Sequence, residues 1–102
     1  MKYKLIVTKD AQSELESIAD YIAESLCNPL AALDFLDDIE KCYDLLSDNP
    51  LIYQVCENLG NGKDYRKVVI KNYLLIYRID KENNSVYVLH FFYGRRDYFE
   101  LI

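Results

Sequence analysis

The strongest constraint on this chain is a change of hydrophobic period near its midpoint. From Ala11 onward the apolar residues Leu15, Ile18, Ile22 and Leu26 recur at intervals of three and four. Glu14, Glu16, Asp20 and Glu24 occupy the intervening positions. That spacing puts one apolar stripe on an amphipathic helix of about five turns. After Asp64 the period becomes two: Arg66, Val68 and Ile70 alternate with Lys67, Val69 and Lys71. A helical first half and a strand-forming second half must bury their apolar sides against each other, which predicts two layers.

Boundaries follow from local chemistry. Tyr3 to Val7 is short and β-prone and reads as a first strand. Thr8 or Asp10 supplies an oxygen to cap the N–H groups that open the first helix. Cys27-Asn28-Pro29 interrupts it, because proline lacks an N–H and disfavours helix at the preceding residue. Asn28 as cap with Pro29 in the first turn restarts a second helix. Its inner stripe is Ala32, Phe35, Leu36, Ile39, Cys42, Tyr43 and Leu46, with Asp34, Asp37, Asp38, Glu40 and Asp44 outside. Asn49-Pro50 ends it, and the two helices form a hairpin. Residues 51–64 show no period, only a Gly60-Asn61-Gly62 turn signal.

With a two-residue turn at Lys71-Asn72, Ile70 faces Tyr73, Val68 faces Leu75 and Arg66 faces Tyr77. Those six residues share the side expected to pack on the helices. Lys67, Val69, Leu74, Ile76 and Arg78 take the other side. Lys81 to Asn84 makes the next turn, and Val86 to Tyr93 the last strand, with Leu89 and Phe91 expected on the open side and His90 on the helix side. The expected architecture is a single α+β domain over 1–102, ordered β-α-α-β-β-β, with an antiparallel sheet and a helical hairpin on one face.

Charge divides the same way. Residues 1–60 hold four Lys and twelve Asp or Glu, a balance of −8; residues 61–102 hold eight Lys or Arg and five acids, a balance of +3. The overall charge of −5 argues against non-specific nucleic-acid binding and places any acidic partner against the C-terminal part. No apolar run approaches the roughly 18 residues that would cross a bilayer, and the N-terminus lacks the pattern of a signal peptide, so the cytoplasm is the expected compartment. Cys27, Cys42 and Cys56 are odd in number and widely spaced. They read as packing or incidental thiols, with no metal and no cofactor implied.

Three segments carry a family resemblance. The first helix opens Thr8-Lys9-Asp10-Ala11 and continues Leu15-x-x-Ile18-x-x-Tyr21-Ile22. The strand pair reads Tyr65-Arg66, six residues, Tyr73-x-x-x-Tyr77-Arg78. The last strand runs into Gly94-Arg95-Arg96-Asp97-Tyr98, and Pro50 follows the second helix. Together these resemble the RelE/ParE superfamily of type II toxin–antitoxin toxins over nearly the whole chain. The resemblance implies a growth-inhibiting toxin neutralised by a cognate antitoxin, with DNA gyrase or the ribosome as target.

The ParE branch is the nearer one. RelE-type nucleases need a base for the 2′-hydroxyl and cations around the phosphate. Here Leu74 stands where those nucleases often carry arginine, Tyr93 stands where many relatives have histidine, and the terminal tyrosine falls near Ile102 and is absent. If the chain were nevertheless a metal-independent, ribosome-dependent endoribonuclease, its candidates would be Arg66, Lys67, Arg78, Arg96, Tyr93 and Tyr98. As a toxin acting by protein contact, its candidate antitoxin- or target-binding residues are Lys67, Leu74, Ile76, Arg78, Arg95 and Arg96. A decayed, inactive toxin is a further alternative. Arg66 also reads as a structural arginine laid across Tyr77 and paired with a helix carboxylate.

Overall fold

The computed structural model describes residues 2–55 and 64–93. Strand β1 (Lys4–Val7) leads into α1 (Lys9–Asp20), whose last turn widens to π geometry over Tyr21–Ser25. Then come α2 (Pro29–Asp48), a single 3-10 turn (Pro50–Ile52), β2 (Gln54–Val55), β3 (Asp64–Ile70), β4 (Tyr73–Asp80) and β5 (Ser85–Tyr93). The sheet runs β1-β5-β4-β3-β2. Strands β3, β4 and β5 form the expected antiparallel meander, and β2 pairs antiparallel with β3 at its edge. Two features go beyond the expectation: β1 joins β5 in parallel, and the two-residue β2 lies in the stretch that showed no period.

Side chains at the joints explain the path. Thr8 caps α1, its Oγ1 accepting from the Ala11 N–H at 3.2 Å. The same hydroxyl donates to the carbonyls of Val88 and Leu89, and the Thr8 N–H also meets Val88. One residue therefore starts the helix and anchors it to β5, a cap worth about 1 kcal/mol. Asn28 accepts from the Ala31 N–H at 3.1 Å, with Pro29 in the first turn of α2. Cys27, in the interruption itself, lies between the two helices with φ 51° and is exposed. The far end of β1 is tied to α2, since Ser47 Oγ donates to the Tyr3 carbonyl at 2.7 Å and the Tyr3 N–H donates to the Ser47 carbonyl at 2.7 Å.

The β3–β4 register is the expected one: Ile70 opposite Tyr73, Val68 opposite Leu75, Arg66 opposite Tyr77. The core lies between that side of the sheet and the helices. Ala11, Leu15, Ile22, Phe35, Ile39 and Leu46 from the helices meet Val68, Leu75, Tyr77, Val86 and Val88. Each large side chain buried there contributes roughly 1.5–3 kcal/mol. Tyr77 is wholly buried, and its hydroxyl donates to the Pro50 carbonyl at 2.6 Å. Burial pushes the Cys42 thiol up to about 11. It pushes the Tyr43 hydroxyl up to about 12, with the neighbouring Cys42 adding to the effect.

A β-bulge changes β5. Pairing steps from Ile76 with His90 to Tyr77 with Val88, so Leu89 is the extra residue and the parity of the strand reverses beyond it. Phe91, expected on the open side, is buried in the helix-facing core. His90, expected on the helix side, instead sits opposite Ile76 and stacks on Phe92, with centroids 5.2 Å apart and planes at 16°.

Candidate functional site

Two surfaces hold the polar and aromatic groups that the core does not use. The first is the open face of the sheet. Tyr65, Lys67 and Val69 of β3 lie beside Leu74, Ile76 and Arg78 of β4, and beyond them are Tyr87, His90 and Phe92 of β5. Leu74, Ile76 and Phe92 form a small cluster of their own, with Tyr65 packed against it. Leu74 and Ile76, expected among the antitoxin- or target-binding residues, keep their side of the sheet but are only 4% and 0% exposed. What this face presents is its rim. Val69 is 68% exposed, and the Arg78 guanidinium lies 4.6 Å from the centre of the Tyr87 ring.

Lys67 pairs in register with Ile76, two residues before Arg78, so these two cations are diagonal neighbours on adjacent strands. Two of the other nuclease candidates, Arg66 and Tyr93, do not join them. Arg66 is committed to structure: its guanidinium donates to both Asp64 carboxylate oxygens, at 2.8 and 3.2 Å, and to the carbonyls of Leu51 and Tyr53, at 2.9 and 2.8 Å. Its acidic partner is thus Asp64 on its own strand, where a helix carboxylate was expected. Arg66 stands where β3 pairs with β2, opposite Val55, and its guanidinium reaches the Leu51 carbonyl of the 3-10 turn. Tyr93 lies on the opposite side of the sheet, its ring 6.0 Å from Tyr73 and edge-on to it. Arg95, Arg96, Tyr98 and Cys56 lie outside the described residues.

The second surface is a groove of about 860 Å³ between α1 and the end of the sheet. Glu14, Ser17 and Tyr21 line it from the helix, and Tyr73, Phe91 and Tyr93 from the strands. It exists because β1 stops at Val7, opposite Val88, while β5 continues to Tyr93. Along that extension Glu14 reaches the strand: one carboxylate oxygen accepts the Phe91 N–H at 3.3 Å and lies 3.1 Å from His90 Nδ1. Tyr73 has its hydroxyl pushed up by burial, and then by the nearby Tyr21 and Tyr93 phenols. Sequence reasoning missed this groove. Tyr21 stands in the helix motif, but only the fold brings it to residues some seventy positions later.

Among the described residues no group of three or more His, Cys, Asp or Glu side chains could hold a metal ion. No helix among them is long and apolar enough to cross a membrane.

Known proteins share this architecture. A chromosomal ParDE toxin–antitoxin system of P. aeruginosa contains a chain that superposes with a TM-score of 0.69 at 18% identity, covering 88% of this chain and 94% of that one. The archaeal RelE–RelB complex of Pyrococcus horikoshii OT3 gives 0.65 at 18% identity, covering 94% and 99%. The isolated E. coli RelE toxin gives 0.60 at 19% identity, covering 97% and 92%. At such identities these likenesses establish the fold. No curated protein matches the chain in sequence. The family described as the ParE toxin of the type II toxin–antitoxin system parDE matches residues 5–98, nearly the whole chain, and the protein therefore belongs to the ParE toxin family.

Proposed function

We infer that this ParE-family chain acts in the cytoplasm by protein–protein contact, with DNA gyrase as its target class, and that a cognate antitoxin neutralises it. The observation that carries this reading is the dispersal, among the described residues, of the groups a phosphate-cleaving site must bring together. General acid–base cleavage needs its proton acceptor and cations within hydrogen-bond reach of one phosphate. Here Arg66 is spent on Asp64 and two carbonyls, and Tyr93 faces away from Lys67 and Arg78. Leu74, where those nucleases often carry arginine, is buried in an apolar cluster. Lys67 and Arg78, with the exposed Val69, leave a cationic and apolar rim suited to a protein surface. The antitoxin part of the reading draws support from the ParDE and RelE–RelB assemblies in which the similar folds occur.

Induction in a bacterial host, followed by primer extension on messenger RNA and a supercoiling assay with purified gyrase, tests the proposal. Inhibition of supercoiling without codon-phased cuts is expected. Codon-phased cuts that Arg78→Ala abolishes would instead establish a ribosome-dependent endoribonuclease, and the absence of both effects would establish a decayed toxin.

A further inference from the structure

The groove between α1 and the end of β5 has the composition of a cation receptor. Tyr73 and Tyr93 stand as perpendicular walls, centroids 6.0 Å apart with planes at 76°. Tyr21 is close enough to raise the Tyr73 hydroxyl, and it is 51% exposed at the mouth. Tyr93 is 41% exposed beside it. Neither ring is held by the core, although both belong to a residue type that usually buries most of its area. Among the described residues the lining carries one ionisable carboxylate, Glu14, and no Lys or Arg. Ring faces and a carboxylate attract cations, and aromatic walls strengthen that attraction by excluding water. The surrounding helix adds to the field: from Lys9 to Ser25 it holds Asp10, Glu14, Glu16, Asp20 and Glu24 against the single Lys9. The π turn helps to build the receptor, since the widened backbone begins at Tyr21 itself.

From this the geometry points to a docking site in which the groove receives a lysine or arginine side chain of the antitoxin. The inserted cation lies between Tyr21 and Tyr93 and faces the Glu14 carboxylate, while the aliphatic stem packs on Tyr73 and Phe91. The inference rests on the antitoxin reading above and extends it. It assigns the toxin a second contact surface, on the acidic side of the molecule and remote from the Lys67–Arg78 rim. An antitoxin engaging both surfaces would present a basic segment to the groove and an acidic or apolar one to the rim.

The test has two arms on the full-length chain. In the first, N-acetyl-arginine amide is titrated into the purified protein at low salt, with norleucine amide as the uncharged comparison, and tyrosine ring shifts are followed by NMR. Saturable shifts at Tyr21, Tyr73 and Tyr93 are expected with the arginine probe alone. Tyr21→Ala and Glu14→Gln should each weaken binding by between about threefold and thirtyfold, the range spanned by exposed and desolvated cation–ring contacts. Glu40→Gln, the same change on the outer side of α2, should not. Equal shifts with norleucine amide, or no shifts at all, overturn the proposal. If Arg95→Ala/Arg96→Ala raises the affinity for the probe, the chain's own arginines occupy the groove and the assignment to a partner is wrong.

In the second arm the product of the adjacent reading frame is the probe, and each of its Lys and Arg residues is changed to Ala. One of them should couple to Tyr21→Ala in a double-mutant cycle, because each change removes the same contact. A complex that forms equally well with wild type and Tyr21→Ala overturns the groove assignment while leaving the antitoxin reading intact. Failure of the wild-type chain to bind that product overturns both. Self-association of the chain that Tyr21→Ala abolishes would make a second copy the occupant, and would overturn the assignment to an antitoxin. Thermal melts of Tyr21→Ala and Glu14→Gln separate lost contact from lost fold.

Discussion

The two sides of the sheet are built on the same strands and have different tasks. The side under the helices gathers Phe35, Ile39, Leu46, Leu75, Tyr77, Val86 and Val88 into a nearly waterless core. Its polar groups are mostly closed on themselves, with Tyr77 bonded to Pro50 and Arg66 to Asp64, Leu51 and Tyr53. Among the described residues the open side has a core of three, Leu74, Ile76 and Phe92, beneath a rim of Lys67, Val69 and the Arg78–Tyr87 stack. Most of the buried core thus lies on one side, and the target contact proposed above lies on the other. Substitutions should separate the two.

The largest loss is expected from Phe35→Ala. This ring is wholly buried in the core and lies 5.2 Å from Tyr73, so its removal should cost about 3–5 kcal/mol in urea unfolding. Arg66→Ala should follow, at about 2–3 kcal/mol, because it leaves Asp64 without its cation and two backbone carbonyls without their donor. A loss as small as that of an ordinary surface arginine, under about 0.5 kcal/mol, would show that the clamp on the 3-10 turn contributes nothing.

Alkali offers a third way to weaken the helix-facing side. The Cys42 thiol is raised from 9.0 to about 11, chiefly by burial. A group held protonated in the fold stabilises it fully below its unfolded value, and that contribution is lost as pH rises through the folded value. Unfolding free energy should therefore decline above about pH 9, Tyr43 contributing over the next unit for the same reason. A flat profile to about pH 11 would contradict the burial of these groups. The finest comparison is between two hydroxyls. Tyr77→Phe leaves the Pro50 carbonyl without its donor and should cost about 1–2 kcal/mol. The Tyr43 hydroxyl is buried with no partner among the described residues, so Tyr43→Phe should be neutral or slightly stabilising. Melts of the two variants side by side decide it.

Where neighbouring residues control the outcome, the sequence was sufficient. The stop at Asn28-Pro29, a cap at Thr8 or Asp10 (Thr8 in the fold) and the two-residue turn at Lys71-Asn72 were all readable, and the turn carried the β3–β4 register with it. The β5 bulge was not readable. From Val86 to Tyr93 that strand is apolar or aromatic on both sides, so a one-residue shift leaves the pattern almost unchanged while it exchanges His90 and Phe91. Nor could local sequence reveal that β1 pairs with the last strand, or that Glu14 meets His90 across 76 positions. Of the site, Lys67 and Arg78 were legible as a shared face. The groove was not, because each of its two walls reads alone as an ordinary helix side or strand end.

The division between the two sides is tested most directly by the Lys67→Ala/Arg78→Ala double variant, followed by thermal melting and by growth after induction. Its stability should stay within about 1–2 kcal/mol of wild type, the Arg78–Tyr87 contact being one source of loss. Growth inhibition should disappear while the fold persists. A folded double variant that inhibits growth as strongly as wild type would contradict the account, and would place the toxin's working surface elsewhere.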